Sequence, residues 1–141
     1  MRLGFRNVSF YVNPQLYEAL RPFGDENRGM RHGAAYFIAT MLRVAELMPE
    51  FPLSPETPDL YRRVTGPIMK APLTEREYAV LEDLSCQHCR CNRSEMVRRL
   101  LWLGIEFHRK IYGPDDLRLR YEEEFFRGVM DRIRTQLLPV Q

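Results

Sequence analysis

The sequence predicts a mainly α-helical fold that contains a short two-stranded antiparallel ribbon. Residues 6–12 alternate between polar and apolar side chains, which is typical of a half-buried strand, and a second short extended segment begins at Pro67. Each segment is followed by a helix-start signal and by apolar residues at helical spacing. Because an isolated strand is not stable, we expect the two segments to pair with each other.

The first half of the chain is predicted to contain one strand and two helices. Asn13 followed by Pro14 is a strong start signal, since Asn caps a helix and proline suits its first position. This helix should end near Gly24. A second helix is expected from about residue 34 to residue 48. The buried face of the first helix is predicted to contain Leu16, Tyr17, Leu20 and Phe23.

The second half repeats this order. Thr74, with Glu77 three residues later, forms a capping-box pattern ahead of a short helix. Ser94 followed by Glu95 predicts the start of a longer helix. The buried face of the short helix is predicted to contain Tyr78, Leu81 and Leu84, and that of the longer helix Met96, Val97, Leu100, Leu101, Ile105 and Phe107.

A fixed offset relates the two halves. Asn13 and Thr74 are 61 residues apart, and so are Gly33 and Ser94, the expected starts of the two longer helices. The sequence therefore predicts two similar units that share one core. The predicted divisions are a first unit at 1–48, a Pro-rich acidic connector at 49–66 with one helical turn near 58–64, a second unit at 67–111, and a C-terminal segment at 112–141 with a helix over 115–138.

Charge is distributed unevenly along the 141 residues, although the net charge is only +2. Residues 1–43 have a net charge of +3 and residues 62–111 of +4, whereas residues 44–61 have −4. The two basic regions could meet phosphate groups while the whole chain stays nearly neutral. The longest apolar run is too short to cross a bilayer and no signal peptide is evident, so we expect a cytoplasmic protein that does not enter membranes.

The three cysteines lie close together in the segment CQHCRC, from Cys86 to Cys91. An odd number in one cluster is not typical of a secreted disulfide framework, so reduced thiols are expected. A C-x-x-C pair beside His88 can hold zinc, but no second pair follows, and Cys86 is expected to be a small buried residue at a helix end. We therefore predict no metal or cofactor, and since no catalytic motif is present, no enzyme.

The predicted ribbon has two chemically different faces. A two-stranded ribbon fits the DNA major groove, where Asn pairs with adenine, Ser with several bases and Lys with guanine. On alternation alone, a solvated strand surface is the favoured interpretation of the polar face. The inward face contains Val8, Phe10, Val12, Met69, Ala71 and Leu73, and the outward face Asn7, Ser9, Tyr11, Ile68, Lys70 and Pro72.

The order strand, helix, helix, with NRSEMVRR opening the last helix, resembles the ribbon-helix-helix superfamily of Arc, MetJ and CopG repressors. The likeness covers residues 6–48 and 67–110, as in the tandem single-chain members of TraY type. It implies a pseudo-dimer that binds double-stranded DNA as a transcriptional regulator or a plasmid transfer or partition accessory factor. It also implies that backbone amides near Gly33 and Ser94 hold phosphates. The predicted DNA-binding residues are Arg6, Asn7, Ser9, Tyr11, Arg31, His32, Gly33, Lys70, Arg93 and Ser94.

The chain departs from this family pattern at Ile68 and Pro72, because the family usually has polar residues at these outward positions. We therefore expect asymmetric recognition of DNA bases, in which the first strand provides most of the sequence specificity. Arg98 and Arg99 are interpreted as solvated helix surface, and Trp102 as core. The helix at 115–138 is expected to cap the core or to self-associate. The alternative function is a protein-interaction module that binds a partner through this helix.

Overall fold

A computed structural model describes residues 5–24, 29–54 and 66–137. The strands are β1 (Phe5–Tyr11) and β2 (Ile68–Thr74), and the α-helices are α1 (Pro14–Leu20), α2 (Gly29–Leu47), α3 (Glu75–His88), α4 (Arg93–Tyr112) and α5 (Glu122–Leu137). A 3-10 helix, Arg21–Phe23, follows α1. The predicted mainly helical fold with a two-stranded antiparallel sheet is confirmed. The helical turn predicted near residues 58–64 lies outside the described residues.

The two strands form one antiparallel ribbon. Val8 lies opposite Ala71 at its centre, Ser9 lies opposite Lys70 one pair further along, and the pairs Phe5–Thr74 and Tyr11–Ile68 lie at its two ends. Ser9 and Lys70 are 61 residues apart, so the offset between the two halves maps each strand onto the other about the Ser9–Lys70 pair. The register of the ribbon is therefore two-fold symmetric in sequence position.

The alternating pattern correctly assigns the faces of the ribbon. Every inward residue of β1 is buried, and in β2 only Met69 is more than slightly accessible. The outward residues are exposed except for Pro72, which is half-buried. The inward face lies on one hydrophobic core that includes residues from both halves of the chain. Because side chains alternate along a strand, this burial fixes which side chains face solvent.

Two of the five predicted helix starts are confirmed. The Asn13 side chain accepts a hydrogen bond from the Leu16 amide at 2.8 Å. The Thr74 hydroxyl accepts from the Glu77 amide at 3.1 Å while the Glu77 carboxylate accepts from the Thr74 amide, which completes a capping box. Both starts depend on contacts within three residues, so the local sequence is sufficient to predict them.

The other three starts are wrong, those of α2 and α4 by a few residues and that of α5 by seven. The cap of α4 is Asn92, whose side chain accepts from the Glu95 amide at 3.0 Å, so Ser94 lies in the first turn. Helix α2 begins at Gly29, which places Gly33 in its second turn. A Cβ at Gly33 would lie 3.2 Å from the Phe23 Cβ, so this glycine allows α2 to pack closely against the 3-10 helix.

Helices α2 and α4 meet in the middle of the core. A Cβ at Gly104 would lie only 2.8 Å from the Phe37 Cβ, so the two helices touch where α4 has no side chain. Helix α5 packs on this pair through Phe125 and Ile133, which are fully buried. The helix predicted over 115–138 begins only at Glu122.

The delayed start of α5 has a visible cause in the segment before it. The His108 ring nitrogen Nε2 lies 2.9 Å from the Arg118 carbonyl oxygen, and both nitrogens of the Arg120 guanidinium end bond the Asp116 carboxylate. The Arg118 amide donates to the Asp116 side chain at 3.1 Å. The backbone amide and carbonyl of Arg118 are thus bonded to side chains, an alternative to helical hydrogen bonds in this non-helical segment.

Three surface assignments from sequence are also wrong. Arg98 and Arg99 are buried, with Arg98 only 2% exposed, because α4 is covered on several sides rather than along one stripe. Tyr17, which was expected in the core, is 46% exposed. Trp102 is buried, as predicted.

The cysteine segment differs from the prediction as well. Cys86 and Cys91 form a disulfide, and Cys86 is exposed, whereas Cys89 is a buried free thiol. The loop turns back through positive φ angles of 51° at Arg90 and 65° at Cys91. The Cys91 amide then donates to the Ser85 carbonyl at 2.9 Å, which brings Cys91 over the last turn of α3. Sequence spacing alone did not reveal this reversal.

Candidate nucleic-acid interface

The outward face of the ribbon is the central element of the candidate site. Asn7, Ser9 and Lys70 are exposed and lie on neighbouring positions of the two strands. Over the two described strands no acidic residue occurs, and on this face Lys70 supplies positive charge. The face therefore offers polar groups and positive charge to a partner that is negatively charged.

Arg31, in the first turn of α2, lies beside β2 of the ribbon. Its Nε donates a hydrogen bond to the Lys70 carbonyl oxygen at 3.2 Å. This contact holds an exposed guanidinium group beside the Ser9–Lys70 pair. Arg31 and Lys70 together therefore place two positive charges beside this pair.

A second group of cations surrounds Tyr78 on α3. The Arg6 guanidinium carbon lies 3.9 Å from the centre of the Tyr78 ring, and that of Arg93 lies 5.4 Å from it. Arg93 also donates to the Tyr78 hydroxyl and, at 3.3 Å, to Glu82. The Arg93–Glu82 ion pair is solvent-exposed and is therefore weak, so a phosphate group can compete for the guanidinium.

The first turn of α4 is joined directly to the end of β1. The Ser94 hydroxyl accepts a hydrogen bond from the Tyr11 amide at 3.0 Å. The Arg98 guanidinium donates both to the Ser94 hydroxyl and, at 3.3 Å, to the Tyr11 carbonyl oxygen. Burial lowers the pKa of Arg98, but its ordinary value is high enough that the side chain stays charged at neutral pH. Ser94 and Arg98 thus fix the ribbon relative to the helix start.

His32 and Gly33 are placed apart from these groups. His32 is exposed and lines a surface depression together with Tyr36 and residues 118–122. Gly33 is buried, and its position in the second turn means that its amide serves the helix itself. The first turn of α2, whose amides have no acceptor within a helix, lies at residues 29–32 instead.

Sequence reasoning missed three residues that organise this site. Tyr78 was assigned to the core only, although its ring also holds Arg6 and Arg93. Arg98 was assigned to the surface. Asn92 was overlooked as a cap, although Asn three residues before Glu95 is itself a recognisable cap pattern. The contacts of Tyr78 with Arg6 and of Arg98 with Tyr11 join residues that are far apart in sequence, so no pattern among neighbouring residues indicates them.

Comparison of the chain with protein-family models, curated proteins and solved structures finds no significant match. Within residues 5–24, 29–54 and 66–137, no group of three or more His, Cys, Asp and Glu side chains is arranged to hold a metal ion. None of the helices in this described part combines the length and apolar character that crossing a bilayer requires.

Proposed function

We propose that this chain is a sequence-specific double-stranded DNA-binding protein in which two ribbon-helix-helix units form a pseudo-dimer. In this proposal the ribbon enters the major groove, and the protein acts as a transcriptional regulator or as a plasmid transfer or partition accessory factor. The observation that supports it most directly is the Ser9–Lys70 pair. It lies on an exposed face without acidic residues, at the point about which the register is symmetric.

The dimensions and chemistry of the ribbon support major-groove binding. A two-stranded ribbon has the width that the groove admits, and its outward side chains can reach base edges. Asn7 offers the bidentate amide that pairs with adenine, and Lys70 offers the ammonium group that pairs with guanine O6 or N7. Ser9, opposite Lys70, can donate to or accept from either type of base.

The arginines around the ribbon support phosphate binding. Arg31 lies beside Lys70 of the ribbon, and Arg93 begins α4, where first-turn amides and the helix dipole favour an anion. Arg6 is held on the Tyr78 ring next to Arg93. Contacts of this kind position a protein on DNA and make its affinity strongly dependent on salt.

The decisive experiment is selection of bound duplexes from a random library at low salt, followed by anisotropy titrations of the selected site. We expect binding that weakens steeply as salt rises and a selected sequence that Lys70→Ala partly relaxes. Arg127→Ala is a suitable control, since Arg127 lies exposed on α5 and pairs only loosely with Glu123. Failure to recover any bound duplex at low salt would refute the proposal.

The alternative, a protein-interaction module that uses the C-terminal helix, has less support. The α5 side chains Phe125, Val129 and Ile133 are buried against the rest of the chain. Over residues 122–136 of α5, a partner protein could therefore use only the polar side without unfolding the core. Deleting residues 112–141 would expose this core, so substitutions at Arg127 or Arg134 are the better probe of a partner.

A further inference from the structure

The outward face of the ribbon is chemically different at its two ends. Toward one end Asn7 lies opposite Pro72, and the terminal Phe5, 48% exposed, lies opposite Thr74, whereas at the other end Tyr11 lies opposite Ile68. Tyr11 is 41% exposed and Ile68 is 61% exposed, so the second end presents two large apolar side chains to solvent. The two-fold symmetry of the register is thus not matched by the side chains.

The apolar end is held rigidly. Both backbone polar groups of Tyr11 are bonded, the amide to Ser94 and the carbonyl oxygen to Arg98. The Val12 amide continues the pairing by donating to the Pro67 carbonyl oxygen at 2.9 Å. Because the backbone is ordered on both strands, the Tyr11–Ile68 pair has a fixed position and loses little conformational entropy when a partner binds.

We propose that Tyr11 and Ile68 form an apolar contact site for thymine methyl groups, so that the DNA target is not a palindrome. The inference rests on the proposed function. In the major groove thymine is the one base that presents a methyl group, and apolar side chains contact it there. The nearby cations Arg31, Lys70 and Arg93 match a polyanion, which favours DNA over a second copy of this positively charged face as the occupant.

The proposal also fixes the arrangement of the target. Asn7 and Tyr11 are separated by four residues along one strand, a distance of roughly 14 Å at about 3.4 Å per residue. One base pair also advances the duplex by about 3.4 Å, so a ribbon that lies along the groove spans roughly four base pairs between them. An adenine contacted by Asn7 should therefore lie about four base pairs from the thymine contacted by the apolar pair.

The test replaces single thymines of the selected duplex with deoxyuridine, which removes only the methyl group. For the unmodified protein we expect affinity to fall roughly fourfold at one or two positions in one half of the site, as for exposing one methyl-sized group. Ile68→Ser should abolish this sensitivity. Because Ile68 is largely exposed, this variant should fold, and circular dichroism checks that it does.

Asn7→Ala is the matched control at the opposite end of the ribbon. It should keep the deoxyuridine effect and lose the adenine preference about four base pairs away. Sensitivity that persists in Ile68→Ser, or that maps beside the Asn7 position, would overturn the inference. Salt-dependent duplex binding without any deoxyuridine effect would overturn this inference but not the proposed function. Absence of duplex binding would refute the proposed function itself.

Discussion

The backbone amide of Tyr11 donates a hydrogen bond to the hydroxyl of Ser94, 83 residues further along the chain, at 3.0 Å. This bond connects the last residue of β1 to the first turn of α4. The Arg98 guanidinium donates hydrogen bonds to both of these residues. The position of the ribbon relative to α4 is therefore set by side chains of α4 as well as by the packing of the core.

Removing the Ser94 hydroxyl should destabilise the fold. Ser94→Ala leaves the Tyr11 amide and one donor of Arg98 without this acceptor, so we expect the free energy of unfolding to fall by about 1 kcal/mol. Urea denaturation followed by circular dichroism measures it. Ser9→Ala, on the exposed face of the same ribbon, is the control and should change stability by no more than about 0.5 kcal/mol. Equal effects of the two substitutions would contradict this account.

The close approach of α2 and α4 predicts a steric effect at Gly104. A Cβ there would lie 2.8 Å from both the Cβ and Cδ1 of Phe37, so Gly104→Ala should destabilise the fold by about 1–3 kcal/mol. Gly128→Ala is the matched control, because its nearest neighbour is the flexible end of Ile111 at 3.2 Å. Thermal unfolding of the two variants should separate them, and a neutral Gly104→Ala would show that the helices can move apart easily.

His108 should make stability depend on pH. Its side chain is fully buried, and burial lowers its pKa below the ordinary value, with the Arg118 carbonyl bond acting in the opposite direction. On acidification the unfolded chain binds a proton near pH 6.5 while the folded chain does not. Stability contributed by the neutral ring is therefore present above about pH 6.5 and is lost as pH falls below it.

Unfolding free energies at pH 7.5 and 5.5 test this linkage. His108→Gln should reduce the difference between the two pH values, whereas His88→Gln should preserve it, since His88 is exposed at the end of α3. An undiminished difference in His108→Gln would assign the pH dependence to other groups.

The three cysteines should differ sharply in reactivity. Burial is the main cause that raises the pKa of Cys89 to about 12, so this thiol should resist alkylation at pH 8 in the folded protein. Cys86 and Cys91 should react only after the disulfide is reduced, and then quickly, since both are exposed. Mass spectrometry after alkylation counts the modified sites. Rapid labelling of all three cysteines without a reductant would contradict this assignment.

The roles proposed for strand and helix residues predict different binding defects. Asn7→Ala and Ser9→Ala should relax base preference, because they remove groups directed at base edges. Arg93→Ala should weaken binding to all sequences alike and should reduce the salt dependence by about one counterion. Arg93→Lys keeps the charge and serves as the control. The opposite pattern of defects in binding titrations would refute the role assignment.

Features that depend on near neighbours in sequence were predictable. The alternation of β1 and the capping box of Thr74 and Glu77 involve residues within a few positions of each other, and both are confirmed. The pairing of the strands followed from a general rule, since neither strand could be stable alone. The inward and outward faces of the ribbon followed from the same alternation.

Features that depend on distant contacts were not predictable. Arg98 lies on α4 beside buried neighbours, but its partner, the Tyr11 carbonyl, is 87 residues away. The disulfide depends on the reversal at Arg90 and Cys91, which requires backbone angles that these residues seldom adopt. The late start of α5 depends on His108 and its bond to the Arg118 carbonyl.

The pairing of both strands within one polypeptide has a consequence for dilute conditions. A ribbon assembled from separate subunits falls apart when its concentration drops below the dissociation constant, whereas strands on one chain remain at a high effective concentration for each other. The midpoint of unfolding should accordingly be independent of protein concentration. Only a few copies per cell would then suffice to keep an intact ribbon.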